Sequence, residues 1–191
     1  MNLSSWTPAE NEFLAEDYRI DIEPYFRGEK LRFIGGTYGP FKPGKPIGVP
    51  LWLAVYLKKR QKCQVEVPFW LKEEYLGKVK MEERENSKEF SDSIPYYYFE
   101  IAQLLLSSCE DEFTHPRQTK SLIEDIFSLR RDKLLRVMKE INPEVPVLFL
   151  SKAGSAELNY VRPSFSSAYA VVHKMQNVIE EANKQEQQTA V

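Results

Sequence analysis

The chain has 191 residues, 42% of them apolar and 28% charged, and its 26 Lys and Arg against 28 Asp and Glu leave a net charge of −2. That length suits one domain, or a small module beside a larger one, with enough apolar content for a sizeable core. The slightly acidic balance excludes a globally basic nucleic-acid binder, so any such contact has to be local. No apolar run approaches the ~20 residues of a membrane-spanning helix. The start, MNLSSWTPAE, lacks the basic-then-apolar layout of a signal peptide. Cys63 and Cys109 match no disulfide framework and no metal spacing, which predicts two reduced thiols in a cytoplasmic or nuclear protein.

Thr7-Pro8-Ala9-Glu10 is a helix start, with Thr7 as cap, Pro8 in the first helical position and Glu10 completing a capping box; the helix ends near Glu16. Tyr18 to Ile22 alternates apolar and polar residues as a half-buried strand does, and Leu31 to Ile34 is a second short strand closed by Gly35-Gly36. Residues Gly36 to Pro50 are expected to be irregular because of their prolines and glycines. Pro50 then opens a helix to about Lys62 that carries Leu51, Trp52, Val55 and Tyr56 on one face and Lys58, Lys59, Arg60 and Lys62 in its last turn. Cys63 to Val67 alternates again, as a third strand.

From Pro68 the pattern turns helical. Leu71, Tyr75 and Val79 recur at four-residue steps. Ser93 with Pro95 starts a helix to about Ser108, with Tyr97, Ile101, Leu104 and Leu105 on one face. A long helix follows Thr114 or His115 and Pro116 and runs to about Ile141; its wide apolar stripe suits packing on more than one side. Pro143 and Pro146 stop it, Val147 to Leu150 is a short extended run, and Pro163 or Ser164 opens a last helix with Phe165, Tyr169, Val172, Met175 and Ile179 in step. The expected class is therefore α+β: a small N-terminal β-rich domain over 1–67, a larger all-helical domain over 68–183, and a frayed polar tail over 184–191.

Chemical motifs are sparse. Gly39 to Lys45 matches the first seven positions of a phosphate-binding loop, but the eighth is Pro46 in place of Ser or Thr, and three prolines remove the N–H donors such a loop uses. His115 and His173 have no partner spacing for a metal and no adjacent nucleophile signature. The acidic runs at Glu82 to Glu85 and Glu110 to Glu112 suit solvated faces, although folding can still bring carboxylates together. The cluster Lys58, Lys59, Arg60 and Lys62 is a candidate for phosphate contact, for docking to an acidic protein surface, or for a solvated helix end. In Tyr96-Tyr97-Tyr98-Phe99, four consecutive rings cannot share one helix face, so either two faces are internal or one meets a partner.

The block VPLWLAVYLKKRQKC, Val49 to Cys63, resembles the hallmark of the partner-of-Sld-five subunit two family of the GINS complex. Phe33-Ile34-Gly35-Gly36 with Gly39-Pro40-Phe41, Val67-Pro68-Phe69-Trp70-Leu71, Pro95 to Tyr98, and IEDIFSLRRDKL from Ile123 to Leu134 extend the likeness over roughly residues 12 to 138, while Ser151 to Asn159 depart from the family's Leu-Asp-Asn motif. The resemblance implies a β-rich module followed by a helical one. It also implies a nuclear, non-catalytic, cofactor-free subunit of a four-protein assembly in DNA replication. Its partners are then the three other subunits, the minichromosome-maintenance helicase ring and a RecJ-like protein. Candidate partner or DNA contacts are Lys58, Lys59, Arg60, Lys62, Tyr96, Tyr98, Arg130 and Arg131, and Pro50, Leu51, Trp52, Leu53 and Cys63 are expected to be structural. The alternative is a nucleic-acid-binding module acting through the basic helix end at 58–62.

Overall fold

The computed structural model describes residues 7–86, 89–139 and 152–167, and the further positions 170, 171, 174 and 175. Helix α1 (Pro8–Ala15) starts at the predicted capping box: the Glu10 N–H donates to Thr7 Oγ1 at 3.3 Å, and the Thr7 N–H donates to Glu10 Oε2 at 2.6 Å. Strand β1 (Arg19–Pro24) alternates strictly, with Ile20, Ile22 and Pro24 turned inward. It is the centre of an antiparallel three-stranded sheet, flanked by β4 (Ile47–Pro50) and β5 (Cys63–Val65). Val49 opposes Ile20, Val65 opposes Ile22 and Cys63 opposes Pro24, so the inward residues of all three strands form one apolar face. Strands β2 (Leu31–Phe33) and β3 (Gly36–Tyr38) make a separate hairpin turning at Ile34-Gly35.

Residues 36 to 50, expected from sequence to be irregular, in fact contain β3 and β4. Gly36, at φ 149°, begins β3, a conformation open to glycine. β4 tolerates Gly48 and Pro50 because it is an edge strand, where a missing N–H costs no ladder bond on the solvent side.

Helix α2 (Leu51–Lys59) follows β4 without a break and ends before the predicted Lys62, because Gln61 takes a left-handed turn at φ 57°. Its inward face is Leu51, Leu53, Ala54 and Leu57, while Trp52 and Val55 are only partly covered and Tyr56 is exposed. The expected face of Leu51, Trp52, Val55 and Tyr56 is thus displaced: the helix packs against both the sheet and the helix over Tyr98–Ser108, and its covered residues are Leu51, Leu53, Ala54 and Leu57.

After a 3-10 turn at Phe69–Leu71, the helical part comprises α3 (Glu73–Glu85), α4 (Tyr98–Ser108), α5 (Pro116–Lys139) and α6 (155–167). α4 starts four residues later than the Ser93 cap predicts. The Ser93 hydroxyl instead donates to Glu82 Oε2 at 3.1 Å, and its carbonyl accepts from the Tyr75 hydroxyl at 2.8 Å. α6 begins eight residues before the expected Pro163, which lies inside it. An interior proline costs about 3 kcal/mol; the helix around it buries Val161 in the second apolar cluster and places Glu157 against Arg130 and Tyr98. The stop after α5 and the extended run at 147–150 lie outside the described residues, as do Tyr169, Val172 and Ile179.

One hydrophobic cluster runs from Ile20 and Ile22 in the sheet through Leu53 and Leu57 to Ile101, Leu105 and Ile126 in the helices, and α1 packs on α4. A second, smaller cluster joins Phe90, Leu134, Ala153 and Val161. Thr7→Ala should cost about 1 kcal/mol, through loss of one side-chain cap on α1; equilibrium denaturation of the full chain measures it, with Thr7→Ser retaining the wild-type midpoint.

Candidate partner interface

The basic end of α2 does not form one patch. Lys58 turns inward and donates to Asp111 Oδ2 at 2.6 Å and Glu112 Oε1 at 2.5 Å. Burial alone would depress Lys58, but those two carboxylates outweigh it and hold the ammonium above its ordinary range. Asp111 is correspondingly lowered by its hydrogen bond to Lys58. Lys59 is exposed and faces the Glu16 carboxyl. Arg60 lies over the Tyr56 ring, 4.5 Å from its centroid. Lys62 alone projects at the start of β5, on the far side of the Gln61 turn.

The aromatic run also divides. Tyr96 is 50% exposed, Tyr97 and Phe99 are half-buried, and Tyr98 is fully buried. Phe99 packs on Phe127 of α5 at 4.7 Å between centroids. Tyr98 therefore presents nothing to a partner, and neither does Arg130, which is 1% exposed. Arg131 is half-buried over the Tyr160 ring of α6 at 5.3 Å and pairs with Asp132 at 3.3 Å.

Arg130 is the centre of an internal charge network. Its Nε donates to Glu157 Oε1 at 2.9 Å, one terminal nitrogen donates to Glu83 Oε1 at 2.6 Å and to the Ser91 carbonyl at 3.2 Å, and the other donates to the Lys152 carbonyl at 2.5 Å. Lys133 donates to Glu83 Oε2 and to the Glu89 carbonyl. The Tyr98 hydroxyl donates to Glu157 Oε1 at 2.6 Å. Burial and the Glu157 charge keep that phenol well above its ordinary range. The Phe90 ring lies against both cations, 5.0 Å from the Arg130 guanidinium and 5.4 Å from Lys133 Nζ. The sequence carries a signal for this: Thr119, Ile123, Ile126, Arg130 and Lys133 step by four and three along α5, which puts both cations on its buried stripe.

Cys63 and Cys109 are free and buried, and desolvation pushes each thiol up to about 11, away from thiolate reactivity. Cys63 sits in the core beside Leu51 and Leu53, and Pro50 is buried at the sheet-to-helix junction. Trp52 is partly covered and meets the Phe33 ring edge-on at 5.1 Å. These five residues build the fold.

One surface open to a partner is a groove of about 840 Å³ between α4 and α5, also lined by residues of α1 and α6. Phe99, Leu104, Leu106 and Phe127 line it, with Lys120 and Glu124 at the edge. Sequence reading missed it because the groove belongs to no one helix: its lining comes from α1, α4, α5 and α6 together.

Two family models match these two parts. Residues 7–66 match the PSF2 N-terminal domain, and residues 70–176 match the GINS complex protein helical bundle domain. The chain belongs to the PSF2 family of GINS complex proteins. It is 41% identical over 126 residues to a human protein named DNA replication complex GINS protein PSF2, an alignment covering 66% of this chain and 68% of the human one. A Drosophila melanogaster protein, named as a probable DNA replication complex GINS protein PSF2, is 39% identical over 66% of this chain and 62% of its own length. The Schizosaccharomyces pombe protein of that name is 33% identical over 93% of this chain and 94% of its own. The α+β architecture, β-rich part first, is the one expected from the PSF2 resemblance, and the helical bundle match extends across Ser151 to Asn159, where the family's Leu-Asp-Asn motif is absent.

In this PSF2-family chain Gly154 lies beneath the charge network: a Cβ there would clash with the pinned Glu157 carboxylate and come within 3.0 Å of Tyr98 Cε1. Gly154→Ala should therefore destabilise by about 1–3 kcal/mol, read as a lower denaturation midpoint. Glu100 has its carboxyl raised, first by desolvation, against hydrogen bonds from Ser155 and Asn11 that favour its charged form. The folded state then holds its proton to higher pH than the unfolded state, so stability falls as pH rises from the ordinary carboxyl range through the raised one. Glu100→Gln should flatten that fall and raise the midpoint at neutral pH; a pH series of urea denaturations measures both.

Proposed function

We propose that this chain is a non-catalytic scaffold subunit of a heterotetrameric GINS complex. In this reading it works in the nucleus with three other GINS subunits and supports initiation and elongation of DNA replication. The minichromosome-maintenance helicase ring and a RecJ-like protein are the further partners of that assembly. Membership of the PSF2 family across both parts of the chain carries the reading.

The geometry supports the same reading and suggests how assembly works. The α4–α5 groove is long, open and lined by half-buried apolar side chains, the form in which one helix accepts another along a ridge. Burying such a strip on a partner helix contributes about 25 cal/mol per Å² of apolar area, less the cost of ordering. Away from the groove, the buried carboxylates Glu83 and Glu157 are paired within the fold by Arg130 and Lys133.

Leu106 lines the groove and is half-buried. Leu106→Glu should abolish co-elution with the three other subunits in an equimolar complex while leaving the circular dichroism of the chain unchanged. A variant that assembles like the wild type would move the interface elsewhere. A wild-type chain that stays monomeric in the presence of the three subunits would sink the subunit reading itself.

A further inference from the structure

Four cations from separate stretches of sequence meet at one end of the three-stranded sheet. Strand β1 ends at Pro24; the next residue, Tyr25, donates its N–H to the Lys62 carbonyl at 2.8 Å, and on the other side the Gly44 N–H donates to the Pro24 carbonyl at 3.3 Å. Lys62 and the turn from Lys42 to Lys45 thus flank Tyr25, two strand spacings or roughly 10 Å apart. The antiparallel bridge between Gly28 and Phe41 then sets Arg27 opposite Lys42. Arg27, Lys42, Lys45 and Lys62 are all exposed and, among the described residues, none of them makes an ion pair. Tyr25 is 59% exposed in their midst. A Glu23 carboxylate oxygen lies beside the turn, 3.8 Å from where a Cβ on Gly44 would stand.

Two features single this cluster out from an ordinary solvated surface. Like charges held opposite one another across a chain pair destabilise it, and the fold retains Arg27 against Lys42 although, among the described residues, neither makes an ion pair. Lys42 and Lys45 are also carried on a stiff turn, where Pro43 and Pro46 fix two backbone angles, Gly44 takes a left-handed φ of 70°, and the Lys45 N–H donates to the Lys42 carbonyl at 3.2 Å. Little loop freedom remains to be lost when a ligand arrives.

We propose that this end of the sheet docks an acidic segment of a partner protein, whose carboxylates meet Arg27, Lys42, Lys45 and Lys62 and whose apolar residue covers Tyr25. A single aromatic ringed by cations has the anatomy of a protein hot spot. A single-stranded nucleic acid would call for several stacking rings along a basic track, and the site offers one, Tyr25. The proposal does not rest on the subunit reading, and its surface is separate from the α4–α5 groove.

The test titrates the full chain with a labelled poly-glutamate peptide and, separately, with a labelled oligothymidylate of equal charge. Poly-glutamate should bind at low salt. Lys42→Glu with Lys45→Glu, and Lys62→Glu alone, should weaken it by about tenfold or more. Lys72→Glu with Lys78→Glu, on exposed positions at the start and outer face of α3, should leave it unchanged. Because all these positions are exposed, unchanged circular dichroism and melting verify that each variant is folded. Tighter binding of the oligothymidylate, lost with the same substitutions, would assign the site to nucleic acid and overturn the proposal. Equal losses from the α3 pair, or no poly-glutamate binding, would overturn it as well.

Discussion

Two buried carboxylates and two buried cations occupy one dry space between α3, α5 and α6, and the helical part is arranged around their mutual neutralisation. Glu83 and Glu157 have fully buried side chains, and Arg130 and Lys133 are almost as deeply buried. An unpaired charge in that environment costs several kcal/mol, and truncating one member of such a network strands its partner at a cost of about 3–5 kcal/mol. The charges can be tolerated only when all four are present in one geometry. That requirement fixes the rotation of α5 relative to α3, holds the 89–91 segment by its carbonyls, and seats the start of α6 through Lys152 and Glu157. A network of this kind adds little net stability over an apolar core. Its effect here is to specify register, since sliding α5 by one turn would separate Arg130 from both carboxylates.

The two parts of the chain are joined by a different set of contacts. Lys58 reaches across to Asp111 and Glu112, Glu112 also accepts the Val65 N–H at 3.2 Å, and the Trp70 indole N–H donates to the Tyr18 hydroxyl at 3.1 Å. Beneath these bonds the hydrophobic cluster continues from the sheet into α4 without interruption. Helix α2 is the element that makes this possible, because one of its edges faces the sheet and another faces α4. The hallmark block from Val49 to Cys63 is thus the joint between the parts, and its buried residues serve that joint before they serve any partner.

Local chemistry was legible in the sequence wherever one segment decides its own structure. The Thr7 cap, the alternation of Ile20 and Ile22, and Pro116 at the start of α5 all followed from nearest neighbours. The misses came where two distant segments compete. Ser93 is a good cap taken in isolation, but Glu82 claims its hydroxyl. Pro163 is a good helix start, but α6 is drawn eight residues earlier by Glu157 and Val161 reaching the network and the second cluster. β4 was hidden because Gly48 and Pro50 argue against a strand unless it is known to be an edge. The interface candidates divided in the same way. Lys58, Tyr98 and Arg130 are polar or amphipathic side chains whose partners, Asp111, Glu157 and Glu83, lie 47 or more residues away except for the 27 between Arg130 and Glu157.

That inward turn of charge has a consequence for how partners are recognised. The four most deeply buried charges of the helical part are consumed internally, while its open groove mixes apolar side chains such as Phe99, Leu104, Leu106 and Phe127 with exposed charges at Glu110, Arg117, Lys120 and Glu124. Hydrophobic burial is non-directional, so binding there depends on shape to set orientation. Exposed cations outside any ion pair among the described residues also gather on the small β-rich part, at the end of the sheet, where charge can steer an approaching acidic surface without contributing much affinity. The continuous core through α2 holds these two surfaces in a fixed relation. A partner that engages both is therefore selected twice, by shape at one surface and by sign of charge at the other, and the second engagement gains from the first only if the joint at α2 stays rigid.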